Sequence, residues 1–203
     1  MKRFSIAAGF LSLLQASLSF AGTASFSYDT FSLQFGKTDV QGSADDLSTT
    51  GVFASLSIND DIFGFVGHNR YQGKVLGLDS TIGRTDVGLG LVFPIKKELD
   101  LVVSAALVRM DSEFCDSGCF SAKDSGYNLG LKANYWLTTK IDALTSINFT
   151  ELDDAGSDTI YDFGLGYWPS KEHRLGLSYQ TGTLASESYD SIWFNYRISQ
   201  NLE

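Results

Sequence analysis

The segment Tyr189-Asp190-Ser191-Ile192-Trp193-Phe194-Asn195-Tyr196-Arg197-Ile198 decides how the chain is read. In an extended backbone, successive side chains point to opposite faces. Ile192, Phe194, Tyr196 and Ile198 then share one face, and Ser191, Trp193, Asn195 and Arg197 share the other. A single segment of this kind also suits a half-buried strand of a soluble sheet. Here the pattern recurs along nearly the whole chain after residue 29, and its apolar face never carries a charge. That combination points to an all-β, closed antiparallel up-and-down barrel spanning a membrane.

Ten strands are expected, with these outward sets. The first three present Phe31, Leu33 and Phe35; Val52, Ala54, Leu56 and Ile58; and Phe63 and Phe65. The next three present Val87, Leu89, Leu91 and Phe93; Leu99, Leu101, Val103, Ala105 and Leu107; and Tyr127, Leu129, Leu131, Ala133, Tyr135 and Leu137. Strands seven to nine present Ile141, Ala143, Thr145, Ile147 and Phe149; Tyr161, Phe163, Leu165 and Tyr167; and Leu175, Leu177 and Tyr179. An Arg or Lys at mid-bilayer on such a face would cost about 2–4 kcal/mol, and none falls there.

The opposite faces are polar and relieved by glycine. They hold His68, Arg70, Asp86, Asp100, Lys132, Asp142, Asp162, Arg174 and Arg197, which the register gathers into a lumen network. Gly88, Gly90, Gly130, Gly164, Gly166 and Gly176 lie among them. Trp136, Trp168 and Trp193 also face inward, towards the periplasmic half, and read as a lumen plug. Interior charges must be paired or hydrated.

Connections alternate in length. Short ones lie at Asn59–Asp61, Pro94–Glu98, Thr138–Lys140 and Pro169–Glu172, and longer ones at Lys37–Leu47, Tyr71–Arg84, Met110–Ser125, Glu151–Asp158 and Gly182–Ser188. Short turns on the periplasmic side and longer loops outside are the habit of such barrels. Phe93, Tyr135, Tyr167 and Tyr196 would form a lower aromatic girdle, and Tyr127, Tyr161 and Tyr179 an upper one.

The start of the chain is of another kind. Lys2 and Arg3 precede an apolar run from Phe4 to Leu14, and small residues Ser19 and Ala21 follow. This is the form of a secretory signal peptide over residues 1–21, cleaved near Ala21, with the barrel domain in 22–203. Removing it leaves 13 Lys and Arg against 24 Asp and Glu, a net charge of −11. That balance argues against nucleic acid as a partner.

The leader, the alternating strands, the segments Gly88-Leu89-Gly90-Leu91, Gly130-Leu131 and Gly164-Leu165-Gly166, and the aromatic last strand together resemble the small outer-membrane β-barrel proteins of Gram-negative bacteria. The resemblance implies an eight- to ten-stranded barrel in the outer membrane, surrounded by lipid and lipopolysaccharide. It also implies delivery by periplasmic chaperones and insertion by the barrel-insertion machinery, with Phe194 and Tyr196 as the assembly signal. The chain departs from that signal by running on through Ser199-Gln200-Asn201-Leu202-Glu203. A monomer is expected.

Few residues suggest chemistry. Cys115 and Cys119 are the only cysteines, and an exported protein favours a disulfide between them over a metal site. His68 could serve as a general base, but lipid A deacylases carry a Ser two residues beyond theirs, where this chain has Arg70. A base without an oriented partner is no catalytic site. The acidic outer segments match no calcium loop, and no phosphate loop, nucleophile elbow or zinc motif is present. No cofactor or metal is expected. The function indicated is non-enzymatic: a barrel anchoring surface loops for adhesion, interaction or envelope integrity. A small porin-like channel is the alternative, and a barrel enzyme acting on lipid A or peptides comes after both.

Overall fold

A computed structural model describes residues 26–200 apart from 42, 44, 76, 185 and 186, so the expected leader lies outside the described residues. The strands are β1 (Thr30–Val40), β2 (Leu47–Ser57), β3 (Ile62–Val75), β4 (Leu78–Lys96), β5 (Leu99–Cys115), β6 (Cys119–Trp136), β7 (Ile141–Leu152), β8 (Gly156–Tyr167), β9 (His173–Leu184) and β10 (Glu187–Ser199). Each pairs antiparallel with the next, and β1 pairs with β10, which closes a ten-stranded barrel. The seam runs from Thr30 opposite Ser199 to Val40 opposite Tyr189 without a break. No helix is long and apolar enough to cross a membrane.

The lower turns show how short polar residues fix the register. Asn59 Oδ1 accepts from the N–H groups of Asp61 and Ile62, Thr138 Oγ1 from those of Lys140 and Ile141, and Ser170 Oγ from those of Glu172 and His173. Such side chains imitate a backbone turn and satisfy donors the ladder leaves over.

Nine strands face as their patterns indicate. The outer wall carries a charge-free belt that includes Leu56, Leu89, Leu131, Leu165 and Leu177, all well exposed on the isolated chain. β3 is the exception. Phe63 and Phe65 were expected on lipid but point inward, and Phe63 is only 7% exposed. The turn explains the reversal. Ile58 N–H donates to Ile62 O at 2.7 Å, so Ile58 and Ile62 close the hairpin as a pair on one face. Ile58 lies on the outside, hence Ile62, Gly64, Val66, His68 and Arg70 do too.

The outer connections are largely strand. β4, β5 and β6 contain 19, 17 and 18 residues, against 11 in each of β1 and β2. Most of Tyr71–Arg84 and Met110–Ser125, expected as loops, therefore continues the ladder as a four-stranded extension above the barrel. The β3–β4 hairpin turns through Gly77 at φ 85°, a conformation that favours glycine. The β5–β6 hairpin turns through residues 116–118 and is closed by a Cys115–Cys119 disulfide. Asp124 ties the extension down: its carboxylate accepts from the N–H groups of Asp154 and Ala155 in the β7–β8 turn.

Leu131 occupies the middle of the outward set of β6. Leu131→Arg should lower unfolding free energy by about 2–4 kcal/mol in phospholipid bilayers, as expected for a cation at the midplane. Urea titration would measure it, and a loss of under about 0.5 kcal/mol would show that this face does not meet hydrocarbon.

Candidate functional site

The lumen and the outer extension are the two places where functional groups collect. The lumen is organised from the bottom upward by the inner faces of the strands. At the lower mouth the segment before β1 turns inward: Tyr28 stacks on Phe63 with ring centroids 4.7 Å apart, and Phe26 stacks on Trp136 at 4.9 Å. Trp136 in turn lies 5.5 Å from Trp168. Phe63, Val92 and Val102, with Tyr28 and Phe65 against them, complete an apolar lower layer. The Tyr28 hydroxyl donates to Asp100 Oδ2 at 3.0 Å and accepts from Asn134 Nδ2 at 3.3 Å, so its polar end is satisfied where its ring is buried.

Next to this layer sits the shortest ion pair among the described residues. Arg174, 1% exposed, donates to Asp142 through Nε at 2.8 Å and Nη2 at 2.6 Å. Trp168 Nε1 donates to the same carboxylate at 2.7 Å, and Arg174 Nη1 donates to Asn195 Oδ1 at 2.6 Å. Gly166 on neighbouring β8 and Gly176 two residues along β9 itself face the guanidinium, and a Cβ at either would collide with it. Those glycines make room for a charge held in two directions by a planar fork.

Above the pair lies a polar chamber of about 290 Å³, lined among others by Gln34, Asp86, Lys132, Asp162, Gln180 and Arg197. Arg84 closes its upper side, donating to Asp86 Oδ1 at 2.8 Å and to Thr150 Oγ1 at 3.1 Å. An apolar lid then spans the barrel: Val40, Leu47, Tyr71, Ile82, Val108, Met110, Leu152, Tyr189 and Trp193, with Ile160 packed against them. These side chains come from eight of the ten strands, so the cluster crosses the lumen. Trp193 meets Tyr71 edge-on at 6.2 Å and donates from Nε1 to Gln180 Oε1 at 3.0 Å.

The structure gathers most, not all, of the residues singled out above. Asp86, Asp100, Lys132, Asp142, Asp162, Arg174 and Arg197 lie on inner faces. His68 and Arg70 do not. The register of β3 turns them onto the outer wall, where His68 Nδ1 lies 2.9 Å from Thr85 Oγ1. Trp136 and Trp168 belong to the lower layer, whereas Trp193 belongs to the upper lid instead of the periplasmic half. Phe194 faces out, as does Tyr196, whose hydroxyl lies 2.7 Å from His173 Nδ1. Glu113 stands beside the cystine, but sulfurs bonded to each other are not thiolates, so the three make no metal site.

Comparison with known proteins bears on the fold. The β domain of the Bordetella autotransporter BrkA superposes with a TM-score of 0.53 at 13% identity, over 85% of this chain and 99% of that one. The NanC porin gives 0.50 at 12% identity, over 83% of this chain and 100% of that one. The chain has the outer-membrane β-barrel fold. No family model and no curated protein matches the sequence of this barrel.

Sequence reasoning missed Arg84, Phe26, Tyr28 and the upper lid. Arg84 and Asp86 share a face at a spacing of two, which was a legible signal. Phe26 and Tyr28 precede the first strand, where no periodicity indicates an inward turn. Of the lid residues, Val40, Leu47, Tyr71, Ile82, Met110 and Leu152 sit in stretches that read as loops, and only Trp193 was singled out, as a plug residue.

Asp142→Ala leaves the Arg174 charge buried and uncompensated, which should cost about 3–5 kcal/mol of unfolding free energy. Asp142→Leu combined with Arg174→Met should recover most of that loss. Unfolding in urea, followed by gel mobility of heated and unheated samples, distinguishes the two. Equal destabilisation of both variants would mean that the pair holds the strands by something other than charge compensation.

Proposed function

We propose that the protein is a non-enzymatic outer-membrane anchor that lifts its β3–β6 extension above the membrane for adhesion, interaction or support of the envelope. The observation that carries this reading is a lumen narrowed by two apolar clusters, the Phe63 and Trp136 layer below and the Trp193 and Tyr71 lid above. Apolar constrictions disfavour the passage of hydrated ions, which would have to shed water there. A catalytic role gains no support, because His68 stands on the outer wall, bonded among the described residues to Thr85 alone. A general base needs an oriented partner and a sheltered substrate position.

The outer-membrane placement rests on the apolar belt together with the two aromatic girdles. What the barrel presents is then the extension, stiffened by continuous ladder pairing and by the cystine at its tip. A rigid platform carries contact residues at a lower entropy cost than a mobile loop.

A gated channel is the second reading, favoured by the charged chamber between the layers. The relative NanC is a porin by name. The refolded protein in planar bilayers should give no steady conductance. Replacing Trp136, Trp168, Tyr71 and Trp193 by Ala should produce discrete openings. Steady openings of the unaltered protein would overturn the anchor reading in favour of the channel. In whole cells, removing residues 112–122 and joining the strands with an Asn-Gly turn should lower surface attachment or detergent resistance while the barrel still inserts. Unchanged behaviour in both assays would count against the extension as the working part.

A further inference from the structure

The inversion of β3 has a consequence on the outer wall. Directly above the last apolar row, Val66, Val87, Leu107 and Tyr127, cross-strand pairing places His68, Thr85, Arg109 and Ser125 side by side. The next row holds Arg70, Gly83, Asp111 and Lys123. Side chains opposite each other on one face sit about 5 Å apart at Cβ, so these two rows form one patch across four strands.

Three cations stand in it against one anion. Asp111 is already engaged: Arg109 Nε lies 3.2 Å and Lys123 Nζ 4.0 Å from it. Arg70 has no such neighbour. Gly83 occupies the position between Arg70 and Asp111, and Thr50 lies on its other flank. Arg70 is exposed and forms no ion pair among the described residues. Around the remainder of the wall the corresponding positions are Glu151, Thr159, Thr181, Asp190 and Lys37, and Lys37, the one cation among them, lies 3.7 Å from Asp46. Net positive charge at the height where the apolar belt ends therefore gathers on one side of an acidic protein.

We infer that Arg70 and Arg109, with His68 and Lys123 beside them, bind the phosphate groups of lipid A in the outer leaflet. The inference rests on the outer-membrane reading. The height selects a membrane lipid over a soluble ligand, because the patch borders the hydrocarbon and a lipid's acyl chains would lie on Val66, Val87 and Leu107 just beneath. The spread of charge selects a headgroup with more than one phosphate. Arg70 and Arg109 are two strands apart, about 10–12 Å, a spacing at which each can hold a phosphate of its own. Arginine suits the task, since its planar fork matches phosphate oxygens in a bidentate contact. Divalent cations are not needed at such a site, in contrast to the acidic positions on the opposite wall.

The test uses the full barrel, refolded in phosphatidylcholine vesicles and shown to be inserted by its gel mobility before heating. Failure at that stage would count against the membrane reading itself, apart from the lipid site. Bisphosphorylated lipid A is then titrated in the presence of EDTA, and retained lipid is counted by native mass spectrometry. Arg70→Gln with Arg109→Gln should weaken binding about tenfold or more, given about 1 kcal/mol for each cation near a charged membrane surface. Lys140→Gln with Lys171→Gln, which removes the same charge from the lower turns, should leave binding unchanged. Lipid A stripped of both phosphates should bind weakly to every variant. Equal weakening by the two double variants would overturn the site in favour of diffuse charge. Equal competition by inorganic phosphate or phosphatidylglycerol would overturn lipid A as the occupant.

Discussion

The hydrogen bonding of β1 to β10 is the interaction on which the rest depends. In hydrocarbon an unpaired N–H or C=O costs several kcal/mol, so a sheet there has no tolerable edge. The seam from Thr30–Ser199 to Val40–Tyr189 removes both edges at once. Closure at ten strands then fixes everything inside and outside the wall. Each residue has one of two directions, and a one-residue slip would reverse a whole strand.

Ten strands also set a packing problem. Eight just allow side chains to fill a barrel, and larger numbers leave space. This barrel answers with layers. Aromatic and aliphatic side chains gather towards both ends, and charges occupy the middle, where Arg174 and Asp142 are matched by Asn195, Trp168 and two glycines. On the reading proposed above, that arrangement directs attention to the outside of the wall and to the extension.

Outside the wall the same parity rule does different work. Because Ile58 and Ile62 close a turn on the lipid face, the strand that follows carries His68 and Arg70 outward and the aromatics Phe63 and Phe65 inward. A reading that placed the more hydrophobic set of β3 on lipid reversed both. Hydrophobicity could not decide the matter, since lumen and lipid each accept a phenylalanine here. The turn could have decided it: a three-residue connection between paired positions preserves the face.

The sequence by itself indicated about ten strands, and it determined the antiparallel up-and-down order and the outward set of nine of them, while closure at ten is settled by the pairing of β1 with β10. Those features follow from a period of two repeated over long segments, and a charge-free face leaves little freedom in direction. Most lumen charges were legible for the same reason. The tertiary structure alone decided how the interior is filled and where the extension rises. Trp193 meets Tyr71, Phe26 meets Trp136, and Arg84 reaches Thr150 across distances in sequence that no local pattern records. Stretches rich in Ser, Thr, Gly and Asp read as loops because no apolar face marks them. They form strands because the adjacent strand continues its ladder of hydrogen bonds past the barrel rim, a tertiary context that local composition does not record.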